Sequence, residues 1–154
     1  MNLKIFCDGG ARGNPGPAAW AFVVYEEKNK IVAQKNEKIG ITTNNVAEYM
    51  AVIEALKWLG AYREKNSGRP VEKIDFFLDS QLVVSQLNGF YKVKNQRLRE
   101  LVIKVRVNEQ LAGGNIFYHF IPREENFLAD DLVNRALDAS TIYHSASTPS
   151  RSRG

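Results

Sequence analysis

At 154 residues, 44% hydrophobic and 25% charged, the chain fits one domain of ordinary globular balance and leaves little room for a second. Its single cysteine, Cys7, excludes an intrachain disulfide and points to a reducing, cytoplasmic setting, while no apolar run approaches the roughly 18 residues of a membrane span and MNLKIFCDGG is too short in its apolar part for a signal peptide. The formal charge of +4 hints at polyanions, but Arg151 and Arg153 lie in the tail, and the 19 basic against 17 acidic residues that remain do not by themselves argue nucleic-acid binding.

Three strands are expected first: Leu3–Asp8, Ala18–Glu26 and Ile31–Ile39. GGARGNPGP between the first two has glycines and prolines that force turns and forbid regular structure, and Lys28-Asn29-Lys30 makes a polar tip, so the three read as an antiparallel meander. The period changes at Asn44-Asn45. Tyr49, Val52, Ile53, Leu56 and Leu59 recur at helical spacing, which predicts a helix over 46–62. A buried strand over 73–78 ends at Asp79-Ser80, a short helix follows over 81–87, and Asn88-Gly89 stops it. A helix over 96–111, a strand over 115–121 and a last helix from about Asn126 complete the domain at residue 140. The stretch 141–154 has little to pack and is expected to be disordered. The pattern predicts an α/β domain with one mixed sheet, in which sites gather at strand ends and adjacent helix starts.

Four carboxylates fall at such places. Asp8 ends the first strand, Glu48 lies in the first turn of the long helix, Asp79 ends the fourth strand, and Asp130 is one turn into the last helix. Each has a structural alternative. Asp8 could form a turn, Glu48 could close a capping box with Asn45, Asp79-Ser80 could cap the next helix, and Asp130 could answer a helix dipole. Converging together, however, four acids would stay ionised only with cations among them. Oxygen ligands without Cys or His favour Mg²⁺ or Mn²⁺, and two such ions about 3.5–4 Å apart suit phosphodiester cleavage. At the last helix Ala129, Leu132, Val133 and Ala136 mark the buried stripe, with Asp130 on its flank and Asp131 pointing away.

At these residues the sequence resembles type 1 ribonuclease H over about residues 1–140. Asp8-Gly9-Gly10 with Gly13-Asn14-Pro15-Gly16-Pro17 is similar to that family's opening motif. Thr43-Asn44-Asn45-x-x-Glu48 matches its second motif, Leu78-Asp79-Ser80-Gln81 its third, and Asn126-x-x-Ala129-Asp130-x-Leu132 its fourth. The resemblance implies an RNase H-like fold: a five-stranded mixed sheet, three antiparallel strands then two parallel, flanked by helices. It implies endonucleolytic cutting of the RNA strand of RNA–DNA hybrids by a two-metal mechanism that leaves 5′-phosphate and 3′-hydroxyl ends. Asp8 would bridge two Mg²⁺ ions, with Mn²⁺ a possible substitute; Glu48 and Asp79 would complete one site and Asp130 the other. Asn14 and Gln81 are placed like residues that contact the RNA strand, Thr43 and Asn44 like those near the DNA phosphate and the minor groove, and Gly9 would let backbone approach substrate. A monomer is expected.

Two features depart from the family pattern. Many members carry a mobile histidine in the loop before the fourth acid, and here Ile121–Asn126 has none. Arg123 and Glu124 are the auxiliary candidates in its place, whereas His119 belongs to the preceding strand and reads as structural. The stretch 88–99 also lacks the long basic insertion of some members, although Phe90-Tyr91 with Lys92, Lys94, Arg97 and Arg99 offers a stacking and charged surface. Two other readings remain at this point. One is a relaxed enzyme that also cuts double-stranded RNA, and the other is a catalytically silent nucleic-acid-binding module.

Overall fold

The structure, a computed structural model, describes the backbone of residues 1–146 and the side chains of residues 1–139. Strands β1 (Asn2–Ala11), β2 (Gly16–Glu26) and β3 (Lys30–Thr42) form the antiparallel meander. There follow α1 (Asn44–Lys65), β4 (Lys73–Leu78), α2 (Gln81–Leu87), α3 (Gln96–Ala112), β5 (Asn115–Phe120) and α4 (Phe127–Ala146). The sheet order is β3-β2-β1-β4-β5, with β1–β4 and β4–β5 parallel, so the expected five-stranded mixed sheet is the one that forms. Helix α4 runs six residues beyond the boundary expected at 140; residues 147–154 of the expected tail lie outside the described residues. None of the described helices is long and apolar enough to cross a membrane.

The pleat of β1 explains the two faces. Leu3, Ile5 and Cys7 are fully buried and join Trp20 and Phe22 of β2, Ile74 and Phe76 of β4, and the inner side of α1 and α3 in the main core. Burying a ring such as Phe76 or Phe22 contributes roughly 1.5–3 kcal/mol each. Alternate residues face the other way. Phe6 and Asp8 pair with Val23 and Ala21, and those two pack with Ala19 against Ala129, Leu132, Val133 and Leu137 of α4 in a second, smaller core. Asp8 therefore points to the α4 side of the sheet.

One expectation requires correction. GGARGNPGP does not break the ladder at Asp8: β1 continues through Gly9, Gly10 and Ala11, paired with Trp20, Ala19 and Ala18. Glycine weakens a strand when nothing holds it, but here β2 supplies the partner and α1 leaves no room for a side chain. A Cβ on Gly9 would lie 2.2 Å from the Ala47 carbonyl carbon. The turn proper spans residues 12–15 and is closed by the Arg12 N–H donating to Pro17 O at 2.8 Å. Asp8 thus sits inside β1 rather than at its end. Pairing with β4 nonetheless stops at Phe6–Phe77, so beyond Phe6 the β4 side of β1 is open. That opening is where the carboxylates meet.

Candidate active site

Asp8, Glu48 and Asp79 each bring a carboxylate oxygen within 4.8 Å of the other two. Asp130, in the first turn of α4, interacts with Asp8. All four line one cavity of about 470 Å³, together with Gly9, Gly10, Arg12, Asn44, Arg123 and Asn134.

Local structure decides how each acid arrives. The N-cap of α1 is Thr43, whose hydroxyl accepts from the Val46 N–H at 3.3 Å. The capping box expected from Asn45 does not form, and Glu48 is free to turn inward, where it is 4% exposed. Its Oε1 accepts the Gly9 N–H, and its Oε2 is buried with no hydrogen-bond partner. Ser80, not Asp79, caps α2 by accepting from the Val83 N–H at 3.2 Å. Asp79 is thereby released to the cluster. Asp131 pairs with Arg135 at 2.8 Å on the outer side of α4, as the helical pattern predicts, leaving Asp130 to face Asp8.

The electrostatics of this group are unfavourable without a cation. Burial first, then the charges of Asp79 and Asp130, pushes the Asp8 carboxyl from 3.8 up to about 8. Burial, followed by the charges of Asp8 and Asp79, raises Glu48 well above the usual carboxylate range, while the Gly9 N–H works against the rise. Burial also raises the Cys7 thiol, with Glu48 and Asp8 adding to it, so this cysteine is an inert core group. An orphaned buried oxygen and several hard oxygen donors within reach of one point fit a small divalent cation.

The remaining sequence candidates divide. Gly9, Asn44 and Arg123 line the cavity; Asn14, Thr43, Gln81 and Glu124 do not. Asn14 and Asn44 knit the β1–β2 turn to α1: Asn14 Oδ1 accepts from the Asn44 N–H at 2.9 Å, and Asn44 Oδ1 accepts from the Ala11 N–H at 2.8 Å. Gln81 is exposed at the start of α2, and Glu124 is exposed in a single 3₁₀ turn, Arg123–Glu125. His119 is engaged on the sheet, with Nε2 2.7 Å from Asp75 Oδ1 and its ring stacked on Phe77.

Two residues not anticipated as site members also matter here. Asn126 is 1% exposed, and its Nδ2 donates to Cys7 O at 2.8 Å and to Asp79 Oδ2 at 2.9 Å, which ties the start of α4 to β1 and to one of the acids. Its place at the head of the fourth motif was the available signal. Arg12 lines the cavity from the β1–β2 turn, and it is the one charged residue of GGARGNPGP.

Comparison with known proteins gives a consistent picture. The RNase H family model matches residues 1–138. A bifunctional protein of Mycobacterium tuberculosis is 38% identical over 147 residues, covering 91% of this chain and 36% of the relative. Ribonuclease HI of Halobacterium salinarum is 40% identical over 137 residues, covering 88% of this chain and 64% of its own length. The chain thus spans about a third of the mycobacterial relative. Among solved structures, LC11-RNase H1 in complex with an RNA/DNA hybrid superposes with a TM-score of 0.83 at 39% identity, covering 90% of this chain and 99% of that one.

Proposed function

This chain belongs to the RNase H family, and from that premise we propose that it is a metal-dependent endoribonuclease hydrolysing the RNA strand of RNA–DNA hybrids. The observation that carries the reading is the convergence of Asp8, Glu48, Asp79 and Asp130 on one cavity, with Glu48 Oε2 buried and unpartnered. The hybrid-bound state of the similar LC11 enzyme supports the substrate class.

Asp8 would hold two Mg²⁺ ions jointly, Glu48 and Asp79 completing one position and Asp130 the other, with Mn²⁺ an acceptable substitute. Held there, such ions would supply activation of the attacking water and neutralisation of charge on the leaving 3′ oxygen, which would give 5′-phosphate and 3′-hydroxyl ends. The protein's own part is positioning. The Gly9 N–H fixes Glu48 and the Asn126 amide fixes Asp79, so the carboxylates are oriented before substrate arrives. Gly9 and Asn44 at the cavity, with Asn14, Thr43 and Gln81 outside it, would meet the two strands, where side-chain amides can both donate to and accept from a 2′-hydroxyl. Arg123 overhangs the cavity from the loop that lacks a histidine and is the auxiliary group, with Glu124 beside it. A reducing, cytoplasmic setting is the one that a lone buried cysteine suits.

The test is cleavage of an end-labelled hybrid in Mg²⁺ and in EDTA, by wild type and by Asp79→Asn, with double-stranded RNA run in parallel. Cutting by wild type in Mg²⁺ alone, absent in the variant, is expected. A wild type that binds the hybrid but never cuts it leaves a silent binding module, and equal cutting of both duplexes replaces hybrid specificity with a relaxed activity.

A further inference from the structure

Helix α4 presents Asp130, Asn134 and Asp138 at four-residue intervals, so the three lie along one side of it. Asp130 and Asn134 border the cavity, and Arg12 reaches this row from the β1–β2 turn across the cavity wall. Its Nη2 lies 2.7 Å from Asp138 Oδ1 and donates to Asn134 Oδ1 at 3.4 Å. Side-chain exposures of 44% and 57% make this an exposed ion pair, a kind that contributes little to stability and is readily exchanged. A guanidinium so placed, loosely held and facing a cavity that takes a polyanion, is built for a phosphate.

We infer that Arg12 is a substrate-binding residue that grips a phosphate of the RNA strand, and that Asp138 competes for it while the site is empty. This rests on the nuclease reading above and deepens it. The guanidinium sits beside α4 about 6–12 Å along the axis from Asp130. It therefore contacts a backbone phosphate other than the one at the bond being cut. Its effect falls on binding and not on the chemical step, and exchange of Asp138 for phosphate moves no proton and forms no covalent bond.

The experiment measures hybrid binding against salt in Mg²⁺ for Arg12→Leu, Arg12→Lys and Asp138→Asn, each in an Asp130→Asn background that binds without cutting. Thermal melting checks that each variant is folded. Arg12→Leu is expected to weaken binding roughly three- to ten-fold and to reduce the slope of log K against log salt by about 0.7–0.9, one phosphate's worth. Arg12→Lys keeps the slope, and Asp138→Asn tightens binding because the competitor is gone. With Asp130 intact, Arg12→Leu raises KM and leaves kcat. An unchanged slope in Arg12→Leu, or equal weakening by Arg12→Leu and Asp138→Asn, overturns the inference and makes the pair a structural tie only. A wild type that neither binds nor cuts the hybrid overturns the nuclease reading itself.

Discussion

Replacing Asp8 by Asn in metal-free protein isolates the electrostatic burden of the carboxylate cluster. A carboxyl that titrates at 3.8 in a free chain and at about 8 in the fold holds its proton better when folded. Between those two pH values the folded state therefore binds more protons, and stability falls as pH rises through the window, the full loss being reached above about pH 8. The displacement corresponds to at most roughly 6 kcal/mol. The effective permittivity that describes buried sites in proteins is well above that of a dry interior, which brings the working figure to about 2–3 kcal/mol. For a domain of this size that is on the order of 5–10 °C in Tm. Scanning fluorimetry in EDTA from pH 4.5 to 9 should show Asp8→Asn overtaking wild type as pH rises and leading by that margin at pH 8. Adding Mg²⁺ or Mn²⁺ at 100 times its Kd should then return about 2.7 kcal/mol to wild type and nothing comparable to the variant. A wild type-minus-variant difference that is flat across this range, or a variant less stable than wild type at pH 8, would refute the reasoning.

Other perturbations follow from the same contacts. Gly9→Ala drives a Cβ into the α1 backbone at Ala47 and should cost about 1–3 kcal/mol or more in urea unfolding, with metal affinity lowered because the strand must move away from α1 and carry with it the backbone N–H that Glu48 accepts. Asn126→Ala removes the clasp between Cys7 O and Asp79 and should destabilise by about 1–3 kcal/mol. Calorimetric titration with Mn²⁺ should show weaker binding in that variant even where its fold is intact. Phe76→Ala, remote from the cavity, should cost about 3–5 kcal/mol while leaving the pH dependence of the metal-free protein unchanged.

What could be read in the sequence was local. The period-3.6 stripe of α1 and the apolar runs of β2 and β4 place those elements within a few residues of where they lie, because each carries its own burial pattern. The errors came where a distant segment overrides propensity. Gly9 and Gly10 stay in a strand because β2 and Ala47 enclose them; the start of α1 is a separate, local matter, in which the Thr43 hydroxyl and not the Asn45 amide caps the first turn. The four acids were legible because each belongs to a recognisable motif, although Asp8 lies inside β1 and not at its end. The bond from Asn126 to Cys7 and the Arg12–Asp138 pair were not, since both join residues more than a hundred positions apart, and nothing in either segment alone announces its partner.

The placement of the last acid has a consequence for how the protein is made. Asp130 and the Asn126 clasp both belong to the final stretch of the described fold, whereas Asp8 lies in its first strand. Translation runs from the N-terminus, so a ribosome holds three acids long before the fourth emerges. The carboxylate cluster of a nascent polypeptide is thus incomplete until α4 docks, and any divalent ion that needs all four oxygens waits for the last helix.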